Sequence, residues 1–105
     1  MIEWPCMFKL DGDYELLYVP SQDVLESELT SLIWSEDDWL IDSRGRCFLI
    51  STDEQGYHYQ PHGELITLEQ VTQWVQEHEF AKVEVCLTKI HFTSIQQAIE
   101  SLSVA

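Results

Sequence analysis

The chain has 105 residues, one domain's length spanning residues 1–105, and its 45% hydrophobic content is enough for a modest core and too high for a disordered chain. Five Lys and Arg against 19 Asp and Glu leave a net charge of -14, which argues against nucleic acid and anionic membranes as partners, since both are held by cationic side chains. No apolar run nears the roughly 18 residues of a membrane span, and Met1-Ile2-Glu3-Trp4-Pro5 carries no basic leader, so a soluble, cytoplasmic protein is expected.

Pro5 to Leu10 and Tyr14 to Val19 are β-compatible runs around the turn Asp11-Gly12-Asp13, which predicts a first hairpin. Pro20 stops the second strand and Ser21 can cap a helix. Asp23 suits its positive end, and Leu25, Leu29, Leu32 and Ile33 form its apolar stripe. After the acidic loop Glu36-Asp37-Asp38, Trp39 to Asp42 and Cys47 to Thr52 flank the turn Ser43-Arg44-Gly45-Arg46, a second hairpin. Asp53-Glu54-Gln55-Gly56 then turns into a short third strand, Tyr57 to Gln60, which Pro61 is expected to end, leaving His62-Gly63-Glu64 as loop.

Thr67 and Gln70 form a T-x-x-Q capping box, with Ile66 and Val71 placed as its hydrophobic staple. Val71, Trp74, Val75 and His78 make one stripe of that helix, with Trp74 read as core. Lys82 to Thr88 alternates like a half-buried strand. Thr93 and Gln96 repeat the box before a last helix with Ile95, Ala98, Ile99 and Leu102 inward. The order ββα-ββ(β)α-βα predicts an α+β two-layer domain, with a mainly antiparallel or mixed sheet and helices on one side.

Trp4-Pro5-Cys6 ahead of Lys9-Leu10-Asp11-Gly12-Asp13, and the Asp-Ser-x-Gly-Arg turn at Asp42 to Arg46, resemble a family of small acidic gammaproteobacterial proteins of unknown function. The resemblance spans nearly the whole chain. It implies a bacterial cytoplasmic origin, and its phrases are turn and strand chemistry that bring no activity or site residues.

Chemistry fares poorly along the chain. Asp11, Asp13 and Glu15 alternate as in a calcium loop, but the sixth position is Leu16 rather than Gly and the twelfth is Gln22 rather than Glu. Zinc would need four ligands, and the close pair His58 and His62 could be joined only by Cys47 or Cys86. Cys6, Cys47 and Cys86 are odd in number and set among apolar neighbours, as buried thiols in a reducing compartment are. Scarce bases and abundant acids disfavour a thiolate nucleophile, and no Gly-rich phosphate cradle exists. No catalytic residue, cofactor or metal site is therefore expected, and the chain does not read as an enzyme.

The acidity itself is informative: residues 1–35 and 36–70 each carry -6, against -2 for residues 71–105. Such a field steers a basic partner. Trp34 and Trp39 bracket Ser35-Glu36-Asp37-Asp38, pairing large anchors with carboxylates, so Trp34, Glu36, Asp37, Asp38 and Trp39 form the candidate interface; the competing reading, which the burial preference of Trp favours, is that both rings close the ends of the core. The leading expectation is a non-catalytic interaction module for a protein with a basic surface. The alternatives are a small-molecule-binding domain or enzyme with a sheet–helix pocket near Tyr57, His58 and Tyr59, and a DNA mimic. A homodimer through an edge strand is also compatible.

Overall fold

The computed structural model describes residues 2–12, 15–83 and 91–103. The first hairpin forms as its turn dipeptide predicts, with β1 (Cys6–Lys9) antiparallel to β2 (Leu16–Val19). Helix α1 (Gln22–Leu29) follows, with Ser21 as its N-cap accepting from the Val24 amide at 3.4 Å. It ends earlier than the apolar stripe suggests. Ile33 lies beyond the helix and is 95% exposed, while Leu25 and Leu29 are buried.

Strand β3 (Trp39–Ile41) turns into β4 (Arg46–Asp53), and β4 into β5 (Gly56–Leu65). All pairings are antiparallel, in the order β2-β1-β3-β4-β5. Because β1 is antiparallel to both β2 and β3, those two run in the same direction and α1 is a crossover between them. The expectation that Pro61 ends β5 is corrected: the strand runs through Pro61, which pairs with Phe48 beside a register shift, and through His62 and Gly63 to Leu65. Among the described residues β5 is an edge strand, and an edge strand needs ladder donors on one side only, so a proline is tolerated there.

Helix α2 (Leu68–Val83) starts where the capping box places it, the Gln70 amide donating to Thr67 Oγ1 at 3.1 Å. Ile66 and Val71, the expected staple, are both buried. Lys82 and Val83, read as the start of a strand, lie in this helix, and the rest of that run, 84–88, falls outside the described residues. Helix α3 (Ile95–Ser101) is capped one residue later than expected: Ser94 accepts from the Gln97 amide at 3.1 Å, and Gln97 Oε1 accepts from the Thr93 amide and hydroxyl. The stripe is unchanged by this shift, and Ala98 and Ile99 are fully buried as it predicts.

The helices do not share one side of the sheet. Strand side chains alternate between faces. Cys6, Phe8, Val19, Leu40, Phe48 and Ile50 pack with Leu25 and Leu29 of α1, whereas Met7, Leu16, Ile41 and Cys47 pack with Val71 and Val75 of α2 and Ala98 and Ile99 of α3. The α+β class and antiparallel sheet stand, with α1 on one face and α2 and α3 on the other. The sheet is sandwiched because β1, β3 and β4 are apolar on both faces, which alternation alone would not produce.

Asp42 closes the β3–β4 turn. Fully buried, its carboxylate accepts from the amides of Glu3, Arg44 and Arg46 and from Arg46 Nε, all at 2.9–3.1 Å. Gly45, at φ 84, donates its amide to the Asp42 carbonyl and offers its own carbonyl to the Ile66 amide at 2.7 Å. A Cβ there would collide with the Ile66 carbonyl and lie 2.7 Å from Ile95 Cδ1. Asp42→Ala is expected to lose about 3–5 kcal/mol of stability, since it strands the buried part of Arg46 and three amides. Gly45→Ala should lose about 2 kcal/mol or more, combining an unfavourable φ with the collision. Urea unfolding measures both.

Candidate functional site

The acidic loop expected to carry the interface is held by one of its own members. Asp38 is buried: Oδ1 accepts from the Asp11 amide at 2.6 Å and Oδ2 from the Ser35 amide at 2.7 Å, while Ser35 Oγ accepts from the Asp37 amide. Asp38 therefore joins the β1–β2 turn to the loop before β3 and is spent on the fold. Glu36 and Asp37 remain exposed.

The two tryptophans that flank this loop are separated by the sheet. Trp34 packs on the α1 face, donates Nε1–H to the Leu29 carbonyl at 3.1 Å and stands 6.2 Å from the Tyr57 ring. It terminates α1, satisfying one of the carbonyls left over at a helix end. Trp39 lies on the other face, edge-on to Trp74 at 6.2 Å and to His62 at 5.3 Å. The expected constellation is thus split, with Asp37 and Trp39 kept together and Trp34 and Asp38 used elsewhere.

What gathers around Trp39 is a different set. Lys9 is its cross-strand partner on β1, and Lys9 Nζ stands 5.5 Å from the centre of the Trp74 ring. Lys9, Asp11, Asp37, Trp39 and Trp74 line a cleft of about 180 Å³. Trp74, read from its helical stripe as core, is half-buried and forms a wall. Lys9 and Trp74 were not legible as site residues, because the β1–β3 register and the docking of α2 bring them together. The one sequence signal was Trp74 at the edge of its stripe.

An apolar cleft of about 310 Å³ opens on the α1 face, lined by Ile2, Trp4, Gln22, Phe48, Tyr59 and Pro61. Tyr59 donates its hydroxyl to Glu26 Oε2 at 2.7 Å, tying β5 to α1. Burial and that bond to a carboxylate push the phenol above its ordinary 10.0. A broader depression along α2 is walled largely by polar groups, among them Thr67, Glu69, Thr72 and Gln73.

The thiols and histidines take structural places. Cys6 and Cys47 are buried and form no disulfide with each other, and burial, reinforced by Asp42, pushes the Cys6 thiol far up, so it is a poor nucleophile. His58 bonds Asp53 at 2.9 Å and thereby lowers that carboxyl's pKa, while His62 packs on Trp39. Four residues apart on a strand, His58 and His62 share a face but lie about 13 Å apart, too far for one metal ion. Cys86 is outside the described residues. His78 is buried, and its Nδ1 accepts the Leu16 amide at 3.1 Å, covering the first donor of edge strand β2.

Asp38→Ala should destabilise by about 1–3 kcal/mol, because it leaves two amides without their acceptor, whereas Glu36→Gln and Asp37→Asn should stay within about 0.5 kcal/mol; chemical denaturation separates them. Above pH 10.0 the unfolded chain ionises Tyr59 while the folded chain keeps it neutral, so stability falls as pH rises. Tyr59→Phe should flatten that fall, as read from urea unfolding at neutral and alkaline pH.

No curated protein matches the chain. Among solved structures it is similar to the NMR structure of a protein from Shewanella amazonensis, with 25% identity, 98% of this chain and 89% of that chain covered, and a TM-score of 0.73. Residues 4–102 match the family DUF4144, described as a protein structure with unknown function. That span takes in Trp4-Pro5-Cys6, the Asp42–Arg46 turn and helices α1, α2 and α3. With almost the whole chain matched, this protein belongs to the DUF4144 family.

Proposed function

We propose that this protein is a non-catalytic interaction module whose acidic surface binds a protein partner with a basic face. The observation that carries the reading is the placement of its charge. Of 19 acids, Asp38 and Asp42 are the buried ones among the described residues, and the few ion pairs there involve Arg44, Arg46 and His58. Most carboxylates at the surface are therefore not neutralised within the chain. A field of this sign accelerates encounter with a basic partner and repels acidic ones. Asp11 and Asp37 stand beside the exposed part of Trp39 and Trp74, which gives the field a place with aromatic contact area.

The apolar cleft beside Tyr59 favours a second reading, a small-molecule-binding domain. Its volume of about 310 Å³ reaches the lower end of ligand pockets, about 300 Å³.

Affinity capture on the tagged chain from native lysate of its own organism, followed by titration of the recovered protein, tests the first reading. The expected result is a basic protein whose affinity falls at least about tenfold between about 0.05 and 0.5 M salt. Recovery of no such protein, with a small apolar molecule bound to the chain in native mass spectrometry, would replace it with the second.

A further inference from the structure

We infer that the cleft between Lys9, Asp11, Asp37, Trp39 and Trp74 receives an arginine side chain of the basic partner. The inference rests on the interaction-module reading and locates its central contact. Two indoles meet edge-to-face at 6.2 Å and 66°, so one ring offers its face where the other offers its edge. The face of Trp74 is already beside a cation, the Lys9 ammonium at 5.5 Å. That contact demonstrates within the chain what the indole is suited to hold.

The carboxylates supply the counter-charge. Asp11 and Asp37 are exposed, and among the described residues neither has an ion-pair partner. Their backbones are fixed, since the Asp11 amide is bound to Asp38 and the Asp37 amide to Ser35. Fixed backbones mean less ordering on binding, which is how preorganised sites gain affinity. At about 180 Å³ the cleft is well below the roughly 300 Å³ of a small-molecule site, and fits a single side chain. A guanidinium suits it better than an ammonium: it is planar, stacks on indole, is weakly hydrated, and bonds a carboxylate with two parallel donors. The incoming guanidinium takes the place of Lys9 over Trp74, and the flexible lysine stem swings aside.

Displacement gives the inference a distinctive signature. The probe is a short capped peptide, glycine-arginine-glycine amide, titrated into isotope-labelled protein while the four indole N–H signals are followed by NMR. The Trp39 and Trp74 signals should move saturably and those of Trp4 and Trp34 should stay. The lysine analogue should bind several-fold more weakly, and the uncharged citrulline analogue should not bind. Trp74→Leu or Asp37→Asn should weaken arginine binding about tenfold, and Lys9→Met should strengthen it by removing the internal competitor. Asp37→Asn keeps the comparison valid if Trp74→Leu unfolds the chain.

Equal movement of all four indoles, indifference to Asp37→Asn, or weaker binding by Lys9→Met would each overturn the inference. If a captured basic partner binds Trp74→Leu and Asp37→Asn as tightly as the parent, the cleft assignment fails while the interaction module stands. If neither the peptide nor any basic protein binds the parent, both fail.

Discussion

A single buried carboxylate organises the molecule. Asp42 stands at the end of β3, and its two oxygens are shared by the N-terminal segment at Glu3, the turn amides of Arg44 and Arg46, and the Arg46 side chain. An isolated carboxylate in such a place would be prohibitive to bury, and it is tolerated because every direction around it offers a donor. The same turn then reaches outward. Ser43 donates its amide to the Glu3 carbonyl and its hydroxyl to the Pro5 carbonyl, while Gly45 takes the Ile66 amide just before α2. One five-residue turn thereby sets where the chain enters β1, where β4 starts and where α2 departs.

A second buried carboxylate does similar work at the opposite end of β3. Asp38 fastens the first hairpin turn to the loop before β3 through two short bonds. Between these two clamps lies a three-residue strand, Trp39–Ile41, that pairs with β1 on one side and β4 on the other. Its shortness matters little because both ends are fixed by side-chain to backbone bonds. The arrangement also explains the cleft: holding Asp11 and Asp37 near Trp39 is a by-product of anchoring their backbones to Asp38 and Ser35.

The central sheet separates what the sequence places side by side. Trp34 and Trp39 are five residues apart, yet one closes the α1 side and the other packs with Trp74 and His62 on the α2 side. Conversely Lys9, Trp39 and Trp74 are remote in sequence and adjacent in space. Surface chemistry in a small sandwiched sheet depends on register and on which face each helix covers, and neither is a local property.

Local chemistry was legible where one or two residues decide it. The turn at Gly12, the Ser21 cap and the Thr67–Gln70 box acted as their residue types require, because each satisfies a backbone donor or supplies a backbone conformation on the spot. The periodic stripes of α2 and α3 likewise named Val71, Val75, Ala98 and Ile99 as core. Competition between neighbours was not legible: Ser94 displaced Thr93 as cap, and β5 ran on through Pro61 because, among the described residues, only one of its sides is paired. By itself, then, the sequence determined the α+β class, the hairpins, the starts of α1 and α2 and the strongly acidic composition, all of which follow from nearest neighbours or from composition. The tertiary structure decided that the helices lie on both faces, that Asp38 and Asp42 are interior clamps, and that Lys9 and two tryptophans share a cleft with carboxylates. Those outcomes depend on strand order and burial, and only long-range packing fixes them.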